Sequence, residues 1–253
     1  MCRLLGWASR VPTTLLDLVG EQDLDVLTEL SRKHADGWGV ARATGNGVTV
    51  HKRPDAAWDS RAFRLWARGH ATDLGVAHLR RATMGLDVGI ENTHPFTDGR
   101  LAFAHNGSVL TASSLDRLVT PEVARLRRGT TDSERYFLAL LTRVRSGATP
   151  REALRDTVEE IAATSSFTSL NCLLLTPEEL LAVCRFDPTV SQEDEGPEYY
   201  DLRYRVTDDA VVVSSTGWGS GWHDLANGEM LVARRGTLES TVIPRPGLVA
   251  AGR

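Results

Sequence analysis

Short apolar runs bounded by glycine and polar residues dominate both ends of this chain, and the clearest helical patterning lies between them. Strands, then helices, then strands again suit a layered α+β domain better than alternating βαβ units. Strands are expected at residues 3–8, 74–80, 101–105, 210–215 and 229–234, the last running into an Arg235-Gly236 turn. Residues 39–52 alternate around Gly45-Asn46-Gly47 and predict a hairpin. A second hairpin is expected where runs 170–176 and 180–186 flank Pro177-Glu178-Glu179. Helices are expected at 15–34, at Asp132–Arg145 behind Thr131, and at 149–164, where Pro150 suits a first turn. Residues 187–200 are polar and acidic and read as an exposed loop. With no internal repeat and no low-complexity linker, one domain over 1–253 is expected.

Charge and cysteine usage remove several function classes. Lys and Arg number 29 against 33 Asp and Glu, well mixed along the chain, so no clustered basic face for nucleic acid is expected. Arginines at 125–128 and around Arg151 alternate with apolar residues at helical spacing and read as solvated helix faces. No run approaches the roughly 20 apolar residues that span a bilayer, and the opening Met-Cys-Arg-Leu-Leu-Gly-Trp lacks signal-peptide character. Membrane association is therefore not expected. Three cysteines, Cys2, Cys172 and Cys184, lack the paired spacing of a disulfide framework. They point to a reducing, cytoplasmic setting, and no metal and no cofactor are expected.

Cys2 is the position with the most chemistry to offer. Cys172 and Cys184 sit inside apolar runs, where a thiol is an inert packing group. Removal of Met1 would instead leave Cys2 with a thiol and a free α-amine on one residue. That amine, with a pKa of about 7.7–8.0, can take the thiol proton and later return it to a leaving amine. Ala104-His105-Asn106-Gly107-Ser108 follows an apolar run, so the Asn106 amide and the Gly107 N–H are candidate oxyanion donors. Asn-Gly is equally a common turn signal. Arg80, closing another apolar run, is shaped to grip a carboxylate bidentately, and Asp132 could pair with an ammonium. A surface ion pair and a helix cap are the plainer readings of those two. The glycines of Asp36-Gly37-Trp38-Gly39 suggest a tight turn or a close approach, with no chemistry assigned.

Taken in order, Met-Cys, Asp-Gly-Trp-Gly, His-Leu-Arg-Arg-Ala-Thr, Asn-Thr-His-Pro-Phe, His-Asn-Gly and Thr-Asp-Ser-Glu resemble the class II glutamine amidotransferase family. The motifs span Cys2 to Glu134, and the segment from Ser214 through Trp222 to Glu229 also resembles the final strands of stand-alone members. The resemblance implies a four-layer αββα fold of two antiparallel sheets between helices, an Ntn-hydrolase architecture. It implies hydrolysis of a γ-glutamyl amide through a thioester on Cys2, which becomes N-terminal when Met1 is removed. Carried over by position, Asn106 and Gly107 form the oxyanion hole, Arg80 holds the substrate carboxylate, and Asp132 holds its ammonium. Thr83 and His94 match positions that line or support the pocket.

Too few residues follow Glu134 for an added synthase domain, so the chain looks like the compact stand-alone branch. That branch includes the ergothioneine-pathway enzyme acting on a γ-glutamyl hercynylcysteine sulfoxide conjugate. Its usual Met-Cys-Arg-His-Leu opening differs here at Leu4. The expected substrate is glutamine or a γ-glutamyl-conjugated small molecule. The alternatives are a glutaminase subunit feeding a separate synthase partner and a non-catalytic γ-glutamyl-binding protein.

Overall fold

The computed structural model describes residues 2–82, 85, 87–190 and 198–245. The first stretch of chain forms β1 (Arg3–Thr13), α1 (Leu15–Val19), α2 (Glu21–Leu30), β2 (Trp38–Ala43), β3 (Val48–Arg53), α3 (Arg61–Gly69) and β4 (Thr72–Leu79). The middle forms β5 (Phe96–Thr97), β6 (Ala102–Val109), α4 (Pro121–Ala124), α5 (Asp132–Arg145), α6 (Pro150–Thr164) and β7 (Phe167–Leu175). Then follow β8 (Glu179–Val183), β9 (Leu202–Val206), β10 (Ala210–Ser214), β11 (His223–Leu225), β12 (Met230–Arg234) and β13 (Ser240–Ile243).

Two sheets result, one ordered β11-β9-β10-β1-β4-β2-β3 and the other β13-β12-β8-β7-β6-β5, with every pairing antiparallel. Side-chain alternation shows how they stack. In β1, Leu4 and Ala8 meet Ala104, Leu173 and Leu180 of the other sheet, while Leu5 and Trp7 pack with Leu15, Phe63 and Trp66 of the helices. In β6, Ala102 and Ala104 face the first sheet, while Phe103 packs with Tyr136 and Phe137 of α5. Both faces of the central strands are therefore covered, which is why β1, β4, β7, β8 and β10 read as largely apolar runs, while edge strands such as β3 and β9 stay half-polar. The layers are α, β, β, α, as expected.

Several boundaries differ from the sequence reading. The expected helix over 15–34 breaks into α1 and α2 at Gly20, whose φ of 86° lies outside helical space and suits a residue without Cβ. The strand expected to end at His105 continues through Asn106 and Gly107 to Val109, so Asn-Gly is strand here and not a turn. Partners on β7 override the turn preference of that pair. Arg125 to Arg128 are exposed, but they lie beyond the four-residue α4 and not along a helix face. Within 187–200, Tyr199 and Tyr200 are buried, contrary to an exposed loop, and 191–197 lie outside the described residues.

Helix α3 was not anticipated, although Ser60 caps it by accepting from the Phe63 N–H and it buries Phe63 and Trp66. Helix α5 starts where expected, with Thr131 accepting from the Glu134 N–H as its cap. In α6, Thr149 and Glu152 form a capping box around Pro150. No helix among the described residues is long and apolar enough to cross a membrane.

Candidate active site

Pairing of Arg3 with Leu79 puts Cys2 at the open end of β1, beside the end of β4 where Arg80 follows. Cys2, Arg80, Arg81 and His94 line a narrow cleft together with His105, Gly107, Asp132 and Ser133. The structure thus brings together five of the seven predicted residues on the cleft surface. Asn106 lies between two of the lining residues, and Thr83 lies outside the described residues.

Cys2 is buried, and its Sγ donates to the Arg81 carbonyl at 3.6 Å. Burial pushes its thiol up, against the pull of the nearby Arg80 guanidinium. A thiol in that state needs a base to become a nucleophile. Cys172 and Cys184, buried in the sheets and raised to about 12 by desolvation, are packing groups.

Arg80 is buried and is not a surface ion pair. Its Nη1 and Nη2 donate to the carbonyls of Asp36 and Asp87 at 3.2 and 3.1 Å, and no salt bridge to it forms among the described residues. The Asp-Gly-Trp-Gly motif is its frame. The Arg80 N–H donates to the Gly37 carbonyl, the Asp36 N–H to the Arg80 carbonyl, and the Asp36 carboxylate accepts from the Ala82 N–H at 2.8 Å. Gly39 supplies the close approach anticipated from sequence, because a Cβ there would sit 2.0 Å from the His94 carbonyl.

Gly107 is fixed in the same way. A Cβ on it would lie 1.8 Å from the Ser169 carbonyl oxygen of β7. Asn106 is fully buried beside it, and neither its amide nitrogen nor its oxygen has a hydrogen-bond partner. The ladder slips between Gly107 and Val109, and the Val109 N–H is taken by Asp132 Oδ2 at 2.7 Å. Asp132 is therefore not the cap of α5, which is Thr131. It is a buried carboxylate tied to the strand that carries Asn106. The Asn92 side chain clasps the approach to α5, accepting from the Thr130 N–H at 2.9 Å, while Glu134 accepts from the N–H groups of Arg128 and Gly129.

His105 was not singled out for a role, although it stands next to Asn106. Its Nε2 meets the Ser169 carbonyl and its Nδ1 the Ser133 hydroxyl, both at 2.9 Å. A carbonyl only accepts, so Nε2 carries the proton and Nδ1 accepts from Ser133. Burial lowers the pKa of this ring and keeps it neutral.

Burial also drives His34 and His78 down to about 3, whereas in the unfolded chain each titrates near pH 6.5. Below that pH the unfolded chain binds protons that the fold refuses. Stability therefore falls as pH falls from about 6.5 toward 3, by up to about 1.4 kcal/mol per pH unit for each ring. Urea midpoints are expected to be clearly lower at pH 5 than at pH 7, and equal midpoints would show that the folded rings accept protons.

The family profile of class II glutamine amidotransferases matches residues 1–248. The chain belongs to that family. Along nearly its whole length it is similar to gamma-glutamyl-hercynylcysteine sulfoxide hydrolase of Mycobacterium tuberculosis, 27% identical over 254 residues, covering 97% of this chain and 98% of that protein. The same-named protein of Mycolicibacterium smegmatis is 26% identical, over 92% of this chain and 96% of its own. A glutamine aminotransferase class-II domain protein from Silicibacter pomeroyi shares the fold, with a TM-score of 0.69 at 20% identity, covering 96% of this chain and 99% of that one. The amidotransferase fold thus agrees with the two stacked sheets and their flanking helices.

Proposed function

We propose that this chain hydrolyses a γ-glutamyl amide, with Cys2 as an N-terminal nucleophile once Met1 is removed and residues 1–253 acting as one domain. The observation that carries the reading is that one buried cleft joins Cys2 to an arginine and an aspartate of opposite charge, Arg80 and Asp132. A γ-glutamyl group presents an α-carboxylate and an α-ammonium, which match that pair, while its amide carbon falls to the thiol. The Cys2 α-amine, of pKa about 7.7–8.0, takes the thiol proton that burial makes hard to lose. The thiolate attacks, and the oxyanion is met by the Asn106 amide N–H, which has no other partner, and by the Gly107 backbone N–H. The leaving amine departs with the stored proton, and water then cleaves the thioester. Thr83 and His94 support the pocket in this scheme.

Arg80 and Asp132 read only the glutamyl end. Similarity to the mycobacterial hydrolases over most of both chains supports a γ-glutamyl-conjugated small molecule as substrate, with glutamine as the simplest member of the class. The test is the intact mass of the purified chain before and after treatment with a glutamine-mimicking diazoketone. Loss of Met1 and a single adduct on Cys2 are expected; retained Met1 with no adduct would overturn the reading.

Arg80→Lys is expected to raise KM about tenfold or more with a smaller change in kcat, since a point charge cannot copy the planar fork. An unchanged KM in steady-state assays would place the carboxylate elsewhere.

A further inference from the structure

Two imidazoles beside the nucleophile have polar atoms that the protein leaves without partners. His78 and His94 are 1% and 3% exposed, and their ring centroids lie 4.3 Å apart. Neither nitrogen of the His94 ring meets a hydrogen-bond partner in the described protein, and those of His78 meet none of good geometry, although the His105 carbonyl stands near that ring. Burying such a group with nothing polar in reach is costly against a domain's marginal stability. Several neighbouring polar side chains are satisfied, although His34 Nδ1 and the Tyr199 hydroxyl also lack a hydrogen-bond partner among the described residues. His105 is satisfied by Ser133 and Ser169, and Asn171 by the Tyr200 carbonyl and the Arg185 N–H. Of the side chains with such unpartnered atoms, His94 lines the cleft with Cys2 and Asn106 adjoins it, and the Asn106 amide nitrogen is explained by the oxyanion. Thioester formation leaves the two histidines without a task.

We propose that His94, backed by His78, holds the water that cleaves the γ-glutamyl thioester on Cys2. This rests on the reading of Cys2 as the nucleophile. His94 lines the cleft together with Cys2, whereas His78 stands behind it, ring against ring. Phe96 also packs edge-on against His94, at 4.6 Å between ring centroids, so the ring has two close aromatic neighbours. In the step, the water oxygen bonds the thioester carbonyl carbon and the carbon–sulfur bond breaks. One water proton passes to the Cys2 α-amine and on to the departing sulfur, restoring the thiol. His94 takes no proton itself, because burial pushes it well below the usual imidazole range. It accepts a hydrogen bond from the water and aims it. His94 is then a catalytic residue, and His78 a positioning residue acting through it.

Formation of the thioester consumes no water, so the two half-reactions separate this role from a structural one. With γ-glutamyl p-nitroanilide as donor, His94→Phe is expected to release one burst of nitroaniline and then turn over at least about tenfold more slowly than the parent. A γ-glutamyl adduct should accumulate on Cys2 by intact mass, and added hydroxylamine should restore nitroaniline release by replacing water. His94→Gln, which keeps an acceptor, should recover part of the rate, and His78→Phe should show a milder defect of the same kind. Equal slowing of both half-reactions in His94→Phe and His94→Gln, or parental turnover in both, overturns the inference. The diazoketone adduct of the parent chain, measured alongside, reports separately on the nucleophile. If it is absent, the reading of Cys2 fails; if it is present and the half-reactions slow equally, only the role of His94 fails.

Discussion

Cys2→Ala is expected to lose γ-glutamyl hydrolysis by about four orders of magnitude or more, with an unfolding temperature within a few degrees of the parent. The two halves of that expectation have different causes. In the proposed mechanism the thiol forms the covalent intermediate, and the α-amine that would activate it belongs to the same residue. Structurally, Cys2 contributes little: it lies at the open end of β1, and its one side-chain bond is the 3.6 Å contact to the Arg81 carbonyl. Removing a sulfur there costs on the order of 1 kcal/mol, equivalent to roughly 2–4 °C in a chain of this size. Steady-state rates with a γ-glutamyl anilide and a thermal melt of both proteins check the two halves together. Parental turnover would place the nucleophile elsewhere, and a collapse of the melting temperature would mean the lost rate reports unfolding.

Gly107→Ala is expected to fail on both counts, losing activity by about a hundredfold or more and stability by about 3 kcal/mol or more. Its Cβ would stand 1.8 Å from the Ser169 carbonyl oxygen and 2.9 Å from His105 Nε2. Neither can retreat cheaply, because that carbonyl accepts the His105 proton. On the other side, the strand is held by the Val109 N–H bond to Asp132. Relief would require β6 and β7 to part where the proposed oxyanion donors lie. Denaturant midpoints and kcat/KM measure the two losses. Parental values for both would show that the strands can separate freely, contrary to the packing described above.

The fold was legible where one element settles its own outcome. Asp132–Arg145 matched because Thr131 caps it and both ends carry charges suited to the helix dipole. The hairpin of β2 and β3 matched because Gly45-Asn46-Gly47 specifies its turn. Legibility failed where tertiary partners decide. Asn106-Gly107 carries turn chemistry, yet β7 pairs it into a strand. Helix α3 carries Trp66, which reaches Trp7 only once β1 is in place. In the site, Cys2, Arg80, Gly107 and Asp132, singled out from ordered motifs, line one cleft, and Asn106 lies between two of its lining residues. The bonds that frame them could not, since Asp36 with Ala82 and Asp132 with Val109 join segments far apart in the chain. The two histidines without partners were also invisible, because lack of a partner is a property of surroundings.

Alternation along β6 has one more consequence. His105 is delivered to the helix side, against Tyr136 and Ser133, while Asn106 follows Ala104 toward the opposite sheet. Neighbours in the chain thus work in separate compartments, and their assignment depends on parity. Inserting or deleting a single residue between Ala102 and Asn106 would exchange the compartments of every side chain downstream. The amide would then face the helix and the imidazole the space between the sheets, with composition almost unchanged. Substitutions in this strand can be graded by size and polarity, but length changes cannot. Among descendants of this chain, insertions should accumulate in the 44–47 hairpin loop and be absent from the eight residues of β6.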